Sequence, residues 1–332
     1  MPLAAALSLE SLDSRDKRVL FELDRDSRQP YAALARRLKL SKENTKYRVN
    51  RLIDNGLIES FYAYADYPKL GFGLYKCYVR LRNASEREEE EYHAFLRSHH
   101  KVTWSTRCVG KYDSAFNVLC GEASEVNAFL EEFREKFGSK ISLLDVVTIT
   151  QISRCTRGYL VNEKTSALPN NPKLRKRNLT NADLRMLAAL SANARAPLDE
   201  LAKCTKTSTV TARKRLRELV ATQTIQVFTI KINYEAFNYQ FVKIMFKLQN
   251  ASAAKKKEFY AHWAAHPNSI WLVEGIGVSD FDVDFELKDI KQLSEIVREA
   301  KTRFGDLIRD YEILFITKED KLDFTSLKNF AE

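Results

Sequence analysis

The chain has 332 residues, with 45% hydrophobic and 30% charged residues. That length suits several domains of roughly 100 to 200 residues, and the balance excludes a disordered or fibrous chain. The 54 lysines and arginines exceed the 44 aspartates and glutamates, giving a formal charge of +10, which favours polyanionic partners over acidic ones.

The opening run MPLAAALSLESL is far shorter than the roughly 20 apolar residues of a membrane span and lacks a basic start. A cytoplasmic protein without membrane contact is expected. The five cysteines, Cys77, Cys108, Cys120, Cys155 and Cys204, form no C-x-x-C pair and are odd in number. They read as reduced, mostly buried thiols, and neither a metal nor a cofactor is expected.

Leu12, Val19, Leu20 and Leu23 recur at helical spacing, with Asp13 and Asp16 placed early where the helix dipole favours acids. Pro30 opens a second short helix with Leu34, Ala35 and Leu38 on its inner face. Ser41 is a good N-cap for a third, KENTKYRVNRLIDNG, which ends at Gly56 where a left-handed C-cap suits glycine. On this helix Thr45, Val49 and Leu52 share one face, leaving Lys42, Glu43, Lys46, Tyr47 and Asn50 outward. A strand over 57–64 would form a wing. Residues 9–66 are therefore expected to be a winged helix-turn-helix domain.

From residue 76 the pattern changes to strand, helix, strand, strand, helix, strand: KCYVRLR, SEREEEEYHAFLRSHH, VTWSTRCVG, SAFNVLCG, SEVNAFLEEFREKFG and ISLLDVVTITQI. This βαββαβ order is ferredoxin-like and is assigned to residues 72–155 as a sensor or assembly domain. Between its middle strands, Gly110-Lys111-Tyr112-Asp113 suits a tight hairpin, or a loop whose amides and carboxylate hold a small ligand. A basic linker is assigned to residues 156–178; its TSALPNNPKLRKRN stretch suits a solvated connection that touches phosphate.

Beyond the linker the pattern returns. Residues 12–150 align without a gap on residues 179–317 at a constant offset of 167, pairing Asp16 with Asp183, Arg28 with Arg195, Ser41 with Ser208, Arg48 with Arg215, Trp104 with Trp271 and Asp113 with Asp280. The expected architecture is α+β, two tandem copies of one unit, with a second winged helix-turn-helix at 179–233 and a second ferredoxin-like domain at 239–318. In the second copy Ala212, Leu216 and Leu219 point inward and Thr209, Val210, Arg213, Lys214 and Arg217 outward.

A capped, basic third helix seen twice points to double-stranded DNA. Lys42, Lys46, Arg213 and Lys214 are candidates for phosphate, Asn44, Asn50 and Thr209 for base edges, and Tyr47 and Arg217 complete the outer faces. Arg48 and Arg215 suit contact with DNA and clamping of the helix equally. Equivalent helices carry opposite charge, Glu86 and Glu88 to Glu91 against Lys255 to Lys257, which fits either mutual recognition or solvated faces.

The runs LDSRDKRVLFELDRDSR, LARRLKLSKENTKYRVNRLIDNGLI and VGKYDSAFNVL closely resemble the Lrp/AsnC family of leucine-responsive and asparagine-synthesis regulators. The resemblance implies recognition helices over 41–55 and 208–222. It also implies self-association through the ferredoxin-like domains, and an amino-acid effector at the loops holding Gly110, Tyr112 and Asp113, and Gly277 and Asp280. Gln223 stands where the first copy has Gly56, and Val278-Ser279 replaces Lys111-Tyr112. Sirohaem decarboxylases resemble the same architecture, sometimes fused in pairs, and imply histidines and basic residues around a tetrapyrrole. The five histidines fall mainly on or at the end of the first helix of each sensor domain, and no nucleophile, paired-carboxylate or phosphate-loop motif appears, so an enzyme is not expected. A non-DNA-binding sensor scaffold is the third alternative.

Overall fold

A computed structural model describes residues 12–165, 167–168 and 178–323. Residues 166 and 169–177 of the basic linker lie outside them. No helix among the described residues is long and apolar enough to cross a membrane.

The chain begins with α1 (Ser14–Arg25), α2 (Tyr31–Leu38) and α3 (Lys42–Asp54), followed by β1 (Ile58–Ala65) and the single turn α4 (Tyr67–Leu70). Then come β2 (Gly73–Leu81), α5 (Glu86–Ser98), β3 (Val102–Val109), β4 (Ser114–Cys120), α6 (Ala123–Phe137), β5 (Ile141–Cys155) and the two-residue β6 (Ala167–Leu168). The second half repeats the order: α7 (Asn181–Ala192), α8 (Leu198–Thr205), α9 (Thr209–Ala221), β7 (Ile225–Ile232), β8 (Gln240–Leu248), α10 (Ala253–Ala265), β9 (Ser269–Ile276), β10 (Phe281–Leu287), α11 (Ile290–Phe304) and β11 (Ile308–Leu322).

The helix boundaries follow from their caps. Asp13 accepts from the Asp16 amide, Ser41 from Asn44, Ser85 from Glu88, Thr180 from Asp183 and Ser208 from Thr211. Each satisfies an amide that the first helical turn cannot pair, a contribution of about 1 kcal/mol per cap.

Each βαββαβ unit forms a four-stranded antiparallel sheet, ordered β5-β2-β4-β3 in the first half and β11-β8-β10-β9 in the second. The edges of the two sheets then pair with one another, β3 with β11 and β5 with β9. Eight strands close into a barrel, which removes every open edge of the two sheets. Helices α5 and α6 cover one half of its outer surface around Phe116, Phe129 and Phe133, and α10 and α11 the other around Phe246, Phe259 and Trp263. The glutamates of α5 find cations in their own half, Glu88 with Lys140 and Glu90 with Arg97 and Arg107.

The strands expected as wings pair with each other. β1 runs antiparallel to β7 from Ile58–Ile232 to Ala65–Ile225, so the ribbon that would complete each three-helix head joins the two heads. Ile58, Ile230 and Ile232 join the core of the first head and Tyr62 to Ala65, Ile225 and Val227 that of the second, and α1 packs on β7 while α7 packs on β1. The cross-links are reciprocal. Ser27 N donates to Phe228 O at 2.8 Å and Ala194 N to Phe61 O at 2.9 Å; Asp66 N donates to Thr224 O and Asn233 N to Leu57 O. Arg28 donates to the carbonyls of Ala194 and Ala196, and its counterpart Arg195 to that of Gln29. Such i-to-j and j-to-i contacts are the mark of an isologous, two-fold interface.

Candidate nucleic-acid interface

In the first head, α2 ends on Lys39 in the left-handed region (φ 54°), and the chain turns through Ser41 into α3. Thr45 donates its hydroxyl to Ser41 O at 2.9 Å, tightening the first turn. Thr45, Val49 and Leu52 are fully buried, which fixes the opposite face outward. Lys42, Asn44, Lys46, Tyr47 and Asn50 all lie on that exposed face. The second head copies the turn, with Lys206 left-handed (φ 55°) and Ser208 as the cap. Ala212 and Leu219 are buried, Leu216 is half-buried, and Thr209, Arg213, Lys214 and Arg217 are exposed.

Two apolar side chains stand out on these faces. Tyr47 is 64% and Val210 77% exposed, where a water-facing helix gains nothing from them. An apolar group beside the N-terminus of such a helix matches the thymine methyl of the major groove.

Arg48 and Arg215 have structural duties. Arg48 reaches Asp13 at 2.8 Å and Asp16 at 2.6 Å, Arg51 also pairs with Asp16, and Arg215 holds Thr180 and Asp183, each at 2.9 Å. Burial raises the Asp13 carboxyl, but the Asp16 amide and Arg48 outweigh it and hold it below the usual carboxylate range. These pairs tie each third helix to the start of its own first helix. Asn44 accepts from Arg48 Nε at 3.0 Å, so its carbonyl is engaged in the same clamp.

The two loops implied for an effector are joints of the barrel. A Cβ on Gly110 (φ +146°) would lie 2.6 Å from Ile313 O, and one on Gly277 (φ +155°) 2.5 Å from Val146 O. Each glycine therefore lets one half's hairpin lie against the other half's strand. Tyr112 is buried with its hydroxyl donating to Asp145 at 2.7 Å. Asp113 accepts from Leu81 N and Asp280 from Leu248 N, both at 2.8 Å.

The sequence reading missed the barrel interior. Lys76 Nζ lies 3.3 Å from Asp282 Oδ2, Tyr78 donates to the same carboxylate at 2.6 Å, and Lys243 pairs with Asp284. Both ammonium groups sit just under 6 Å from the ring centre of Trp104. Burial, then the nearby Lys243, pushes Lys76 down to about 8. No short motif marks this group because its members come from four strands. Separately, a groove of about 950 Å³ lies between α1, the loop after β5 and the second half, with Lys17, Lys164 and Lys288 on its walls beside stacked Tyr159 and Tyr239.

Residues 12–59 match the winged helix-turn-helix DNA-binding family profile. The chain is 29% identical over 150 residues to an uncharacterized HTH-type transcriptional regulator of Pyrococcus furiosus, covering 43% of this chain and 97% of that one. It is 25% identical over 143 residues to the regulatory protein AsnC of Haemophilus influenzae, covering 43% of this chain and 90% of that one. Among solved structures, the siroheme decarboxylase NirDL superposes over 96% of this chain and 97% of its own, with a TM-score of 0.65 and 12% identity.

The last finding corrects the expectation that the chain is not an enzyme. A protein with this architecture from end to end is one, so the fold gives no ground for excluding catalysis. A likeness of fold at 12% identity leaves no short motif in the sequence. The fold shared with these proteins is α+β, a winged helix-turn-helix joined to a β-sheet domain. The chain thus carries a DNA-binding head and is similar to HTH-type transcriptional regulators of the Lrp/AsnC kind.

Proposed function

We propose that the chain is a sequence-specific DNA-binding transcriptional regulator in which two diverged copies of one unit pair within a single chain. The observation that carries this is the pair of capped helices α3 and α9, each presenting a basic face from a head tied reciprocally to the other. Two non-identical reading helices suit an asymmetric, pseudo-palindromic site. Lys42, Lys46, Arg213, Lys214 and Arg217 neutralise phosphate, while Asn50, Tyr47 and Thr209 meet base edges. A small effector such as an amino acid would act by shifting the barrel joints at Gly110–Asp113 and Gly277–Asp280. An electrophoretic shift with random and genomic DNA across a salt series is the test. Binding should weaken steeply with salt, and Lys46→Ala with Lys214→Ala should lower it on every sequence. No shift at low salt rejects the proposal.

The lysine-walled groove favours a second reading, a ligand site for a polycarboxylate tetrapyrrole, the class of compound held in a NirDL complex with an iron-uroporphyrin III analogue. Titration with iron uroporphyrin, followed by the Soret band, separates the readings. A saturable shift lost in Lys17→Ala/Lys288→Ala supports the second.

A further inference from the structure

The barrel interior is asymmetric at matched positions. Both halves place a lysine there, Lys76 and Lys243, but the carboxylates come from one half alone: Asp282 and Asp284 stand where the first half has Ala115 and Asn117. The register shows why this matters. Lys243 lies directly opposite Asp284 on the neighbouring strand of its own sheet, whereas Lys76 lies opposite Asn117. Lys76 therefore reaches across the barrel to Asp282, which also accepts from Tyr78, the position held by Met245 in the second half. All four charged side chains are buried.

We infer that this buried charge set is a recognition surface that makes the two barrel faces fit each other and neither fit itself, so that the chain takes its own opposite half as barrel partner. The inference rests on the intramolecular pairing proposed above. As assembled, two lysines meet two aspartates and this set of four is neutral. Two first-half faces would bury two lysines with no carboxylate at these positions, and two second-half faces would bury two lysines with four aspartates. Either leaves charge uncompensated in a water-poor core, which is strongly destabilising, whereas a matched pair costs little. Selectivity of this kind comes from penalising the wrong pairings more than from favouring the right one.

A second charge set points the same way. Arg157 of the first half holds Glu286 of the second through Nε at 2.8 Å and Nη2 at 2.8 Å, and Tyr159 donates to the same carboxylate. The counterpart of Glu286 is Leu119, so this pair too exists only between unlike halves. A regulator built this way is insulated from single-unit relatives, because their faces would have to supply the missing carboxylates.

Four full-length chains test it by thermal unfolding. Asp282→Ala/Asp284→Asn/Met245→Tyr gives the second half the first half's face; Ala115→Asp/Asn117→Asp/Tyr78→Met does the reverse; the third chain carries all six changes, transposing the faces; the fourth is unaltered. Both like-faced chains should melt on the order of 10 °C or more below the unaltered chain. The transposed chain should recover most of that loss, which also guards against a variant that simply fails to fold. Like-faced chains melting within about 3 °C of the unaltered one, or a transposed chain as impaired as its parents, overturn the inference. Light scattering is read alongside. An unaltered chain that is dimeric sinks intramolecular pairing, yet the ranking still reports on selectivity because the same faces then meet between chains.

Discussion

At the residue scale, the two heads differ at one backbone position whose cost can be measured. Gly56 and Gln223 both sit just past their third helix with positive φ, 70° and 52°. A side chain in that region costs about 1 to 2 kcal/mol, and no neighbour lies within 4 Å of a Cβ at Gly56, so the penalty there is conformational alone. Gln223→Gly should raise stability by about 1 kcal/mol and Gly56→Ala lower it by about the same, read from urea midpoints at unchanged slope. A second residue sets a pH dependence. Burial, then the neighbouring His262, pushes His266 down to about 4 from its ordinary 6.5, and its Nδ1 accepts from the Asn268 amide, a bond the protonated ring cannot make. The unfolded chain takes up this proton first, so stability is present above pH 6.5 and declines as pH falls from about 6.5 towards 4. His266→Gln should flatten that part of the thermal-midpoint profile; an unchanged slope would rule His266 out as its source. The sequence placed this histidine at the end of a helix, but its burial against Phe285 is a tertiary fact.

At the element scale, α3 and α9 are equivalent in geometry and unequal in charge. The exposed face of α3 offers Lys42 and Lys46 with Glu43 among them, and that of α9 offers Arg213, Lys214 and Arg217. Each cation that loses its phosphate reduces the salt slope by about 1. Replacing the three α9 cations with alanine should therefore flatten the slope by about 3, and replacing Lys42 and Lys46 by about 2. Equal changes would mean that the heads meet DNA differently from the proposal. These helices were legible in the sequence because caps and inward residues are local: Ser41 with Val49 and Leu52, and Ser208 with Ala212 and Leu219, state where each helix starts and which side it buries. The β1–β7 ribbon was not, since an alternating strand says nothing about its partner. The fate of Arg48 was open for the same reason: its acceptors, Asp13 and Asp16, lie more than thirty residues away and meet it only after α1 crosses α3.

At the scale of the whole molecule, the ferredoxin-like order of each half was readable strand by strand, while closure of the barrel depended on edge pairings between residues far apart in the chain. Val109 meets Phe315, and Thr148 meets Ile276. That closure makes the halves cooperative. One apolar core contains Leu20, Leu34 and Val49 of the first head together with Ile230, Phe241 and Leu314 of the second half, and another joins Tyr64 and Leu74 to Leu187 and Leu201. Neither half can expose its share without stripping the other, so unfolding should be a single transition. Hydrogen exchange under increasing denaturant should remove protection from α5 and α6 at the same concentration as from α10 and α11. Leu20→Ala, at a fully buried site in the first head, should lower stability by about 2 to 5 kcal/mol and move both sets of helices together. If α5 and α6 opened well before α10 and α11, the halves would be independent domains on one chain, and the two helix-turn-helix heads would lack the fixed spacing that the proposed reading of a single operator requires.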